Sequence, residues 1–206
     1  MAWPSGLRHC QTEVLMWFKL WLGVALFALP HLYGMLSLSG KAALMARLGE
    51  GPFKGLYTLA SLLGVLLMGL AYHAAYATGT AEQLYTPWAG ARHVTMLLVL
   101  LAFILVAASH GKGHIKAWIR NPMSWGVGLW ALGHLLANGE TVVVVIAATF
   151  LILSLLDIVL CTVRGKVPGH VPVLRSDVIA VVVGLVLYAV FLFGFHPYIL
   201  GVPVAG

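Results

Sequence analysis

Long apolar runs, separated by short polar segments, dominate the sequence. A bilayer core about 30 Å thick needs roughly 20 apolar residues per helix, and about six runs meet or approach that length. We therefore predict an all-α fold, a polytopic bundle of about six transmembrane helices. The predicted spans comprise residues 16–38, 56–78, 94–109, 123–137, 141–163 and 178–200.

The fourth span, residues 123–137, is shorter than the others. At 1.5 Å per residue it reaches only about 22 Å, so it must thin the bilayer, extend at its ends or lie inside the bundle. We expect the last arrangement, in which other helices shield it from lipid. Asn121 and Pro122 are typical of a helix start, and Asn138 with Gly139 predicts a left-handed stop.

The composition limits the class of protein. Apolar residues make up 61% of the chain and charged residues only 9%, whereas soluble domains carry about 25% charged residues, so a water-soluble globule is excluded. The formal charge of +6 would suit nucleic acid only if the basic residues shared one surface. They cluster instead in loops between apolar runs, which indicates a lipid bilayer as partner and no nucleic acid.

The distribution of lysine and arginine predicts the orientation. Loops rich in these residues face the cytoplasm, and the first, third and fifth loops hold nine of the twelve, so both termini are expected on the non-cytoplasmic side. On this topology Cys10 and Cys161 lie on opposite faces and do not pair. The nine are Lys41, Arg47, Lys54, Lys112, Lys116, Arg120, Arg164, Lys166 and Arg175; the other three are Arg8, Lys19 and Arg92.

The first fifteen residues contain no adequate apolar stretch and no small-residue cleavage site. We interpret residues 1–15 as a disordered tail or a start-site artefact. No tandem repeat or low-complexity linker follows, so residues 16–206 are predicted to form one transmembrane domain.

Nine histidines against six carboxylates is an unusual ratio, and ionisable groups at membrane depth are functional candidates. His134 is the strongest, because Trp130 at i−4 and Asn138 at i+4 share its helix face. Glycines at 126, 128 and 133 would let a flat cofactor, another helix or a second copy of the chain approach closely. The competing interpretation, a neutral histidine bonded to a carbonyl of a neighbouring helix, remains open at this point.

His31 follows Pro30 inside the first span, where the proline frees a backbone carbonyl. His31 is either a ligand or a hydrogen-bond donor to the freed carbonyls or to Ser37. His73 is a second candidate partner for His134, since its predicted depth matches better. His9, His170 and His196 are expected to face solvent, and His110 and His114 to be solvated at the interface.

Neutral imidazoles as the main intramembrane ligands favour haem iron, copper or zinc, and haem fits best because two histidines can clamp a macrocycle within a bundle. Arg92 and His93 at the outer end of the third span are candidate partners of its propionates. Asp157, deep in the fifth span, would orient His31 or form a salt bridge with Arg164 or Lys19.

Three stretches of the sequence resemble the NnrU family, whose relatives include the 15-cis-ζ-carotene isomerases. The stretches are residues 47–61, Trp88 with Arg92 and His93, and residues 115–139. The resemblance implies a multi-pass protein of the bacterial inner membrane, associated in denitrifying bacteria with nitrite and nitric oxide reduction. In the isomerase branch it implies haem b held by histidines, with His134 and His31 as axial ligands.

Two positions depart from the family pattern. The family usually has histidine where this chain has Asn121. The isomerase branch has cysteine at the position of Ala131, so in this chain no thiolate can bind the haem iron from that position. Three hypotheses follow. The first is a haem-b protein of respiratory nitrogen-oxide metabolism which, if it is an enzyme, is a haem-dependent cis-trans isomerase of a carotenoid or other polyene. The second is a membrane cytochrome or assembly factor for a reductase, and the third is transport without a cofactor, against which the chain shows no half-to-half repeat.

Overall fold

The computed structural model describes residues 5–202, and its side chains from residue 11 onward. Within that range the fold is all-α, as predicted, and the only β pairing is an isolated antiparallel bridge between Gln83 and Glu140. The helices are α1 Ser5–Leu36, α2 Leu38–Leu48, α3 Glu50–Thr78, α4 Ala91–Ser109, α5 His114–Ile119, α6 Pro122–Ala137, α7 Thr141–Val163 and α8 Leu174–Val190; a π-helix, Phe191–Leu200, continues α8.

Five helical segments of the described chain are long and apolar enough to cross a membrane, which makes this a multi-pass membrane protein. The remaining predicted span is α6, which at 16 residues is as short as the sequence indicated. The predicted placement of the termini stays a prediction. The five segments are Gln11–Leu36, Glu50–Thr78, Ala91–Ser109, Thr141–Val163 and Leu174–Leu200.

Helices extend further into the predicted loops and tail than the hydropathy suggested. α1 begins at Ser5, so residues 5–15 continue the first helix, while residues 1–4 lie outside the described range. α2 occupies part of the first predicted loop, because the Ser37 hydroxyl accepts a hydrogen bond from the Gly40 N–H (3.2 Å) and caps it. Gly49, with φ of 83°, separates α2 from α3.

The chain divides into two compact units, and the prediction of one transmembrane domain stays a prediction. Unit 1 comprises Met1–Tyr85 and Glu140–Thr149, and unit 2 comprises Thr86–Gly139 and Phe150–Gly206. Two of the divisions fall in the loops that precede α4 and α7, and the third falls within the apolar helix α7.

Close helix contact holds unit 1 together. α1 packs on α3 where two glycines face each other: a Cβ at Gly23 would lie 2.7 Å from the Gly64 carbonyl oxygen, and a Cβ at Gly64 would lie 2.8 Å from that of Gly23. Absence of both side chains lets the two backbones touch. Small residues serve this purpose in membrane helices, where lipid provides no hydrophobic force between them.

In unit 2, α4 contacts both α6 and α8. A Cβ at Gly126 of α6 would lie 2.8 Å from the Ala102 carbonyl oxygen, and one at Gly184 of α8 would lie 2.7 Å from the Ile104 Cα. Near the other end of α6, the Thr95 hydroxyl donates to the Gly133 carbonyl oxygen (2.7 Å). These contacts fix α6 against α4 along its length.

The two ends of α6 test the capping predictions. The Asn121 side chain accepts a hydrogen bond from the Ser124 N–H and Pro122 occupies the first turn, as predicted. The predicted left-handed stop is wrong, because Asn138 is extended (φ −136°, ψ 122°) and Gly139 is not among the described residues with positive φ. The Asn138 backbone N–H and its side-chain amide both donate to the His134 carbonyl oxygen (3.0 Å each), so no left-handed residue is required.

Candidate functional site

His134 lies on α6 in unit 2, half-buried beside the two neighbours that helical spacing predicted. Its Nδ1 donates to the Trp130 carbonyl oxygen (2.8 Å), and the two rings lie 4.3 Å apart between centroids. Asn138 holds the backbone carbonyl of His134 rather than its ring. The ring is therefore oriented by its own helix turn.

The structure brings a second histidine to this place that the sequence did not single out. The rings of His134 and His196 lie 6.4 Å apart between centroids, and their planes differ by 22°. The expectation that His196 faces solvent is wrong, since it is half-buried. It lies in the π-helix, where its Nδ1 donates to the Phe191 carbonyl oxygen five residues back (2.9 Å). No sequence signal distinguishes a π-helix from the α-helix it continues.

The two histidines belong to a row of rings that runs through unit 2. Each ring lies between 4.3 and 6.4 Å from the next, and the histidines occupy its middle. Aromatic rings at these separations are in contact, so the row forms a continuous apolar surface on both sides of the imidazoles. In order, its members are Phe103, Phe191, Phe195, His196, His134, Trp130 and Phe150.

The hydrogen bonds of His134 and His196 show which ring nitrogen carries the proton and which one keeps a lone pair for a ligand. A carbonyl oxygen only accepts, so Nδ1 of His134 and of His196 carries the proton and a neutral ring keeps its lone pair on Nε2. Within the described residues, no hydrogen bond uses Nε2 of either ring. Metal-binding histidines commonly donate their other nitrogen to a carbonyl in this way.

The donor set of the described residues suits a macrocycle better than a bare ion. No group of three or more His, Cys, Asp or Glu side chains is placed to hold a metal in that part of the chain. A structural zinc site needs four protein ligands and a catalytic one three, whereas a porphyrin supplies four nitrogens and asks the protein for one or two. His134 and His196 supply two imidazoles, which is the number of protein ligands that such a macrocycle takes.

His31 lies in unit 1, so the structure describes it separately from His134, and the predicted His31–His134 pair stays a prediction. Its Nδ1 donates to the Phe27 carbonyl oxygen (2.7 Å), and its ring stacks on that of Phe27 at 4.3 Å and faces Tyr57 at 4.9 Å. His73, the other candidate partner, is exposed in unit 1.

Arg92 and His93 lie in the first turn of α4, where both side chains are exposed in unit 2. This is the position expected for residues at the end of a span. Their predicted contacts with propionates stay predictions.

Asp157 has partners other than those weighed from the sequence. Its Oδ2 accepts from the Asn121 amide (2.7 Å) and the Ser124 hydroxyl (2.5 Å), and its Oδ1 lies 3.7 Å from the Cys161 sulfur. The carboxylate thus ties α7 to the start of α6. His31 and Lys19, two of its predicted partners, belong to the other compact unit, so an orienting role toward His31 stays a prediction.

Asn121, at the position where the family resemblance implies a histidine, belongs to this polar cluster. The Asn121 amide bridges the Asp157 carboxylate and the Cys161 sulfur (3.4 Å) while its oxygen caps α6. Cys161 is a free thiol. The side chain of Cys10 lies outside the described residues, so the expected absence of a Cys10–Cys161 disulfide is untested.

A second polar cluster, also missed from the sequence, orders the loop between α4 and α5. Asp177 is buried and accepts hydrogen bonds from the backbone N–H groups of His114 (2.9 Å) and Ile115 (3.0 Å) and from the His114 ring (2.8 Å). A Cβ at Gly113 would overlap the carboxylate. His114 is therefore an ordered partner of Asp177 whose side chain stays 41% exposed. The only signal was a carboxylate in the first turn of an apolar helix.

Comparison with known proteins gives one family. A family model described as NnrU protein matches residues 19–204. Neither the search of curated proteins nor that of solved structures gave a match.

Proposed function

The chain belongs to the NnrU family, and on that premise we propose that it is a haem-b protein of the bacterial inner membrane, linked to respiratory nitrite and nitric oxide metabolism. His134 would hold the haem in this proposal, together with His31, which the family resemblance implies. His196 lies beside His134 in unit 2.

One observation supports the proposal above all. The Nδ1 proton of His134 is engaged by the Trp130 carbonyl within an apolar helix, and its Nε2 makes no hydrogen bond among the described residues. Its Nε2 therefore keeps the lone pair that a metal would take. The five long apolar segments provide the membrane setting.

The surrounding residues have distinct roles in the proposal. The Trp130 carbonyl fixes the tautomer of His134 and the Trp130 ring covers one face of the imidazole. Asn138, the C-cap of α6, donates to the His134 carbonyl oxygen and so holds the last turn in place. Arg92 and His93 would pair with propionates, and Asp157 would keep α6 in register through Asn121 and Ser124. The bound haem would supply one-electron transfer.

The test is the absorption spectrum of the purified full-length chain, expressed with adequate haem. We expect a Soret band in the native chain and a loss of about tenfold or more in bound haem for His134→Ala. His110→Ala is the matched control, because His110 is exposed at the end of α4 and belongs neither to the row of rings nor to the polar clusters around Asp157 and Asp177. A colourless native chain, or a His134→Ala variant with an unchanged band, would remove the proposal.

A second candidate function is haem-dependent cis-trans isomerisation of a carotenoid or other polyene. The row of rings on both sides of His134 favours it, because a long conjugated chain packs well on an extended aromatic surface. Bond rotation changes neither the atoms nor the oxidation state of the substrate. Chromatography of cis-polyenes incubated with the reduced protein separates the two functions, since an electron carrier or a reductase assembly factor leaves the isomer ratio unchanged.

A further inference from the structure

Six of the seven lysine and arginine residues of unit 2 lie near one end of its helices, where α4 and α7 end and α5, α6 and α8 begin. Gly126, near the start of α6, packs against the second half of α4, and a Cβ at Gly111 would lie 3.3 Å from the Ser176 Cβ in α8. The Asn121 amide reaches Cys161 near the end of α7. We call this region the basic end of unit 2. Its lysine and arginine residues are Lys112, Lys116, Arg120, Arg164, Lys166 and Arg175.

Hydrogen bonds hold the loops of the basic end together. The Val173 N–H donates to the Lys112 carbonyl oxygen (2.9 Å), and the Lys116 ammonium group donates to the Ser109 carbonyl oxygen (2.7 Å). The Asp177 carboxylate adds its bonds to the start of α5. These contacts fix the backbone from which the basic side chains extend.

The acidic side chains of unit 2 do not neutralise this end. There are only two, Asp157 and Asp177, and both carboxylates accept hydrogen bonds inside the protein. Within residues 11–202, Lys112, Arg120 and Arg175 form no ion pair, and all three are exposed. The basic end therefore carries a surplus of positive charge that attracts anions from outside the chain.

Arg120 occupies a strained turn between α5 and α6. Its φ of 60° and ψ of −46°, with a hydrogen bond from the Asn121 N–H to the Ile119 carbonyl oxygen (2.7 Å), form the rarer and strained kind of γ-turn. Among the described residues, Arg120 is the only one other than glycine with a positive φ. Glycine would adopt this conformation without strain, and strained residues are concentrated at functional sites.

The membrane surface is the source of anions that this end would meet. Three of the long apolar segments end or begin here, at Ser109, Val163 and Leu174, and the ends of such segments lie at the level of the lipid headgroups. Trp118, two residues before Arg120, is 79% exposed, and tryptophan is enriched at headgroup depth. The guanidinium group of arginine binds phosphate oxygens through two parallel hydrogen bonds.

We propose that the basic end of unit 2 binds the phosphate groups of anionic phospholipids, with Arg120 as the principal contact and Trp118 at headgroup depth beside it. Lys112 and Arg175 add charge to the same surface. The proposal uses none of the residues of the row of rings at His134, so it does not depend on whether the chain binds haem.

The experiment measures thermal unfolding of the full-length chain in neutral detergent, with phosphatidylglycerol, phosphatidylcholine or inorganic phosphate added at equal concentrations. We expect phosphatidylglycerol to raise the unfolding temperature in a saturable way, and to do so more strongly at low salt than at high salt. Phosphatidylcholine and inorganic phosphate should have little effect. Equal stabilisation by inorganic phosphate would indicate a site for a soluble anion, and equal stabilisation by phosphatidylcholine would show that headgroup charge is not recognised; either result overturns the proposal.

Substitutions at Arg120 test its role in lipid binding. Arg120→Gln should weaken the affinity for phosphatidylglycerol about fivefold, the usual contribution of one basic residue at an anionic surface, and Arg120→Lys should retain most of the affinity. Arg47→Gln is the matched control, because Arg47 is exposed on α2 in unit 1 and lies outside the basic end. An equal loss of affinity in Arg47→Gln and Arg120→Gln would overturn the assignment of the site to the basic end.

Arg120→Gly separates lipid binding from stability. Glycine relieves the strain of the turn, so without added lipid this variant should unfold at a higher temperature than Arg120→Ala, in which the strain persists. Both variants should lose the affinity for phosphatidylglycerol that Arg120→Gln loses. A purely structural role of Arg120 predicts a change in unfolding temperature with unchanged affinity for this lipid, and that result would overturn the proposal.

Discussion

His31 in unit 1 and His134 in unit 2 are held by their own helices in nearly the same way. Each donates Nδ1 to the carbonyl four residues back, and each ring lies 4.3 Å from the aromatic ring of that same residue, Phe27 or Trp130. The surroundings differ, since His31 faces Tyr57 and His134 faces His196. The backbone carbonyl four positions before each histidine thus sets its tautomer locally, and the aromatic side chain there packs on the ring, whereas the chemistry of the site depends on what the tertiary fold places opposite.

The largest effect should come from the glycine contacts that position each histidine's helix. Gly126→Ala places a methyl group against the Ala102 carbonyl and Gly64→Ala places one against the Gly23 carbonyl, and overpacking of this kind costs about 1–3 kcal/mol. Both variants should unfold at lower temperature in detergent. Only Gly126→Ala should also alter the haem spectrum, because it displaces α6.

Each of these variants has a control on the same helix. A Cβ at Gly128 would lie 3.5 Å from Ser154, an ordinary contact, and no atom lies within 4 Å of a Cβ at Gly69. Gly128→Ala and Gly69→Ala should therefore unfold like the native chain. Equal losses in Gly126→Ala and Gly128→Ala would show that helix contact is not what makes glycine necessary.

The next effect concerns the polar cluster of Asp157, Asn121 and Ser124 in unit 2. Asp157→Ala leaves the Asn121 amide and the Ser124 hydroxyl without their acceptor, at a cost of about 1–3 kcal/mol. Asp157→Asn retains an oxygen that can accept from both groups and should cost less. Thermal unfolding measures the difference, and identical behaviour of the two variants would contradict the assigned contacts.

The smallest effect concerns the two ends of α6. Asn121→Ala removes a helix cap, which costs about 1 kcal/mol, whereas Asn121→Ser keeps a capping oxygen and loses the contact with Asp157. Asn138→Ala removes one of two donors to the His134 carbonyl and should cost about 0.5–1 kcal/mol. A spectral change in Asn138→Ala that exceeds the change in Asn121→Ala would show that the last turn of α6 controls the ring of His134.

Local signals account for what the sequence predicted correctly. Asn121 and Pro122 mark the start of α6, its shortness follows from counting apolar residues, and Trp130 and Asn138 are placed beside His134 by helical spacing alone. The family resemblance was confirmed over residues 19–204. Each of these features depends on residues within about one turn or on a recognisable stretch of chain.

What the sequence missed depends on contacts between distant residues. Asp157 meets Asn121 36 positions away, and Asp177 meets His114 63 positions away, and nothing in either local pattern specifies the partner. His196 escaped because hydropathy does not report how a helix is wound. The capping of α2 by Ser37 was hidden for a different reason, since charges in that segment are typical of a loop.

The π-helix Phe191–Leu200 holds the His196 ring through a backbone carbonyl different from the one that an α-helix would use. Its ring is anchored to a carbonyl five residues back, whereas His31 and His134 use the fourth, so a single residue separates the two modes of attachment. Deleting one residue between Phe191 and His196 would turn the His196 ring about the helix axis, with the anchoring of α8 at Asp177 untouched. The relative orientation of the His134 and His196 rings can therefore change through an insertion or deletion in this segment, with both histidines retained.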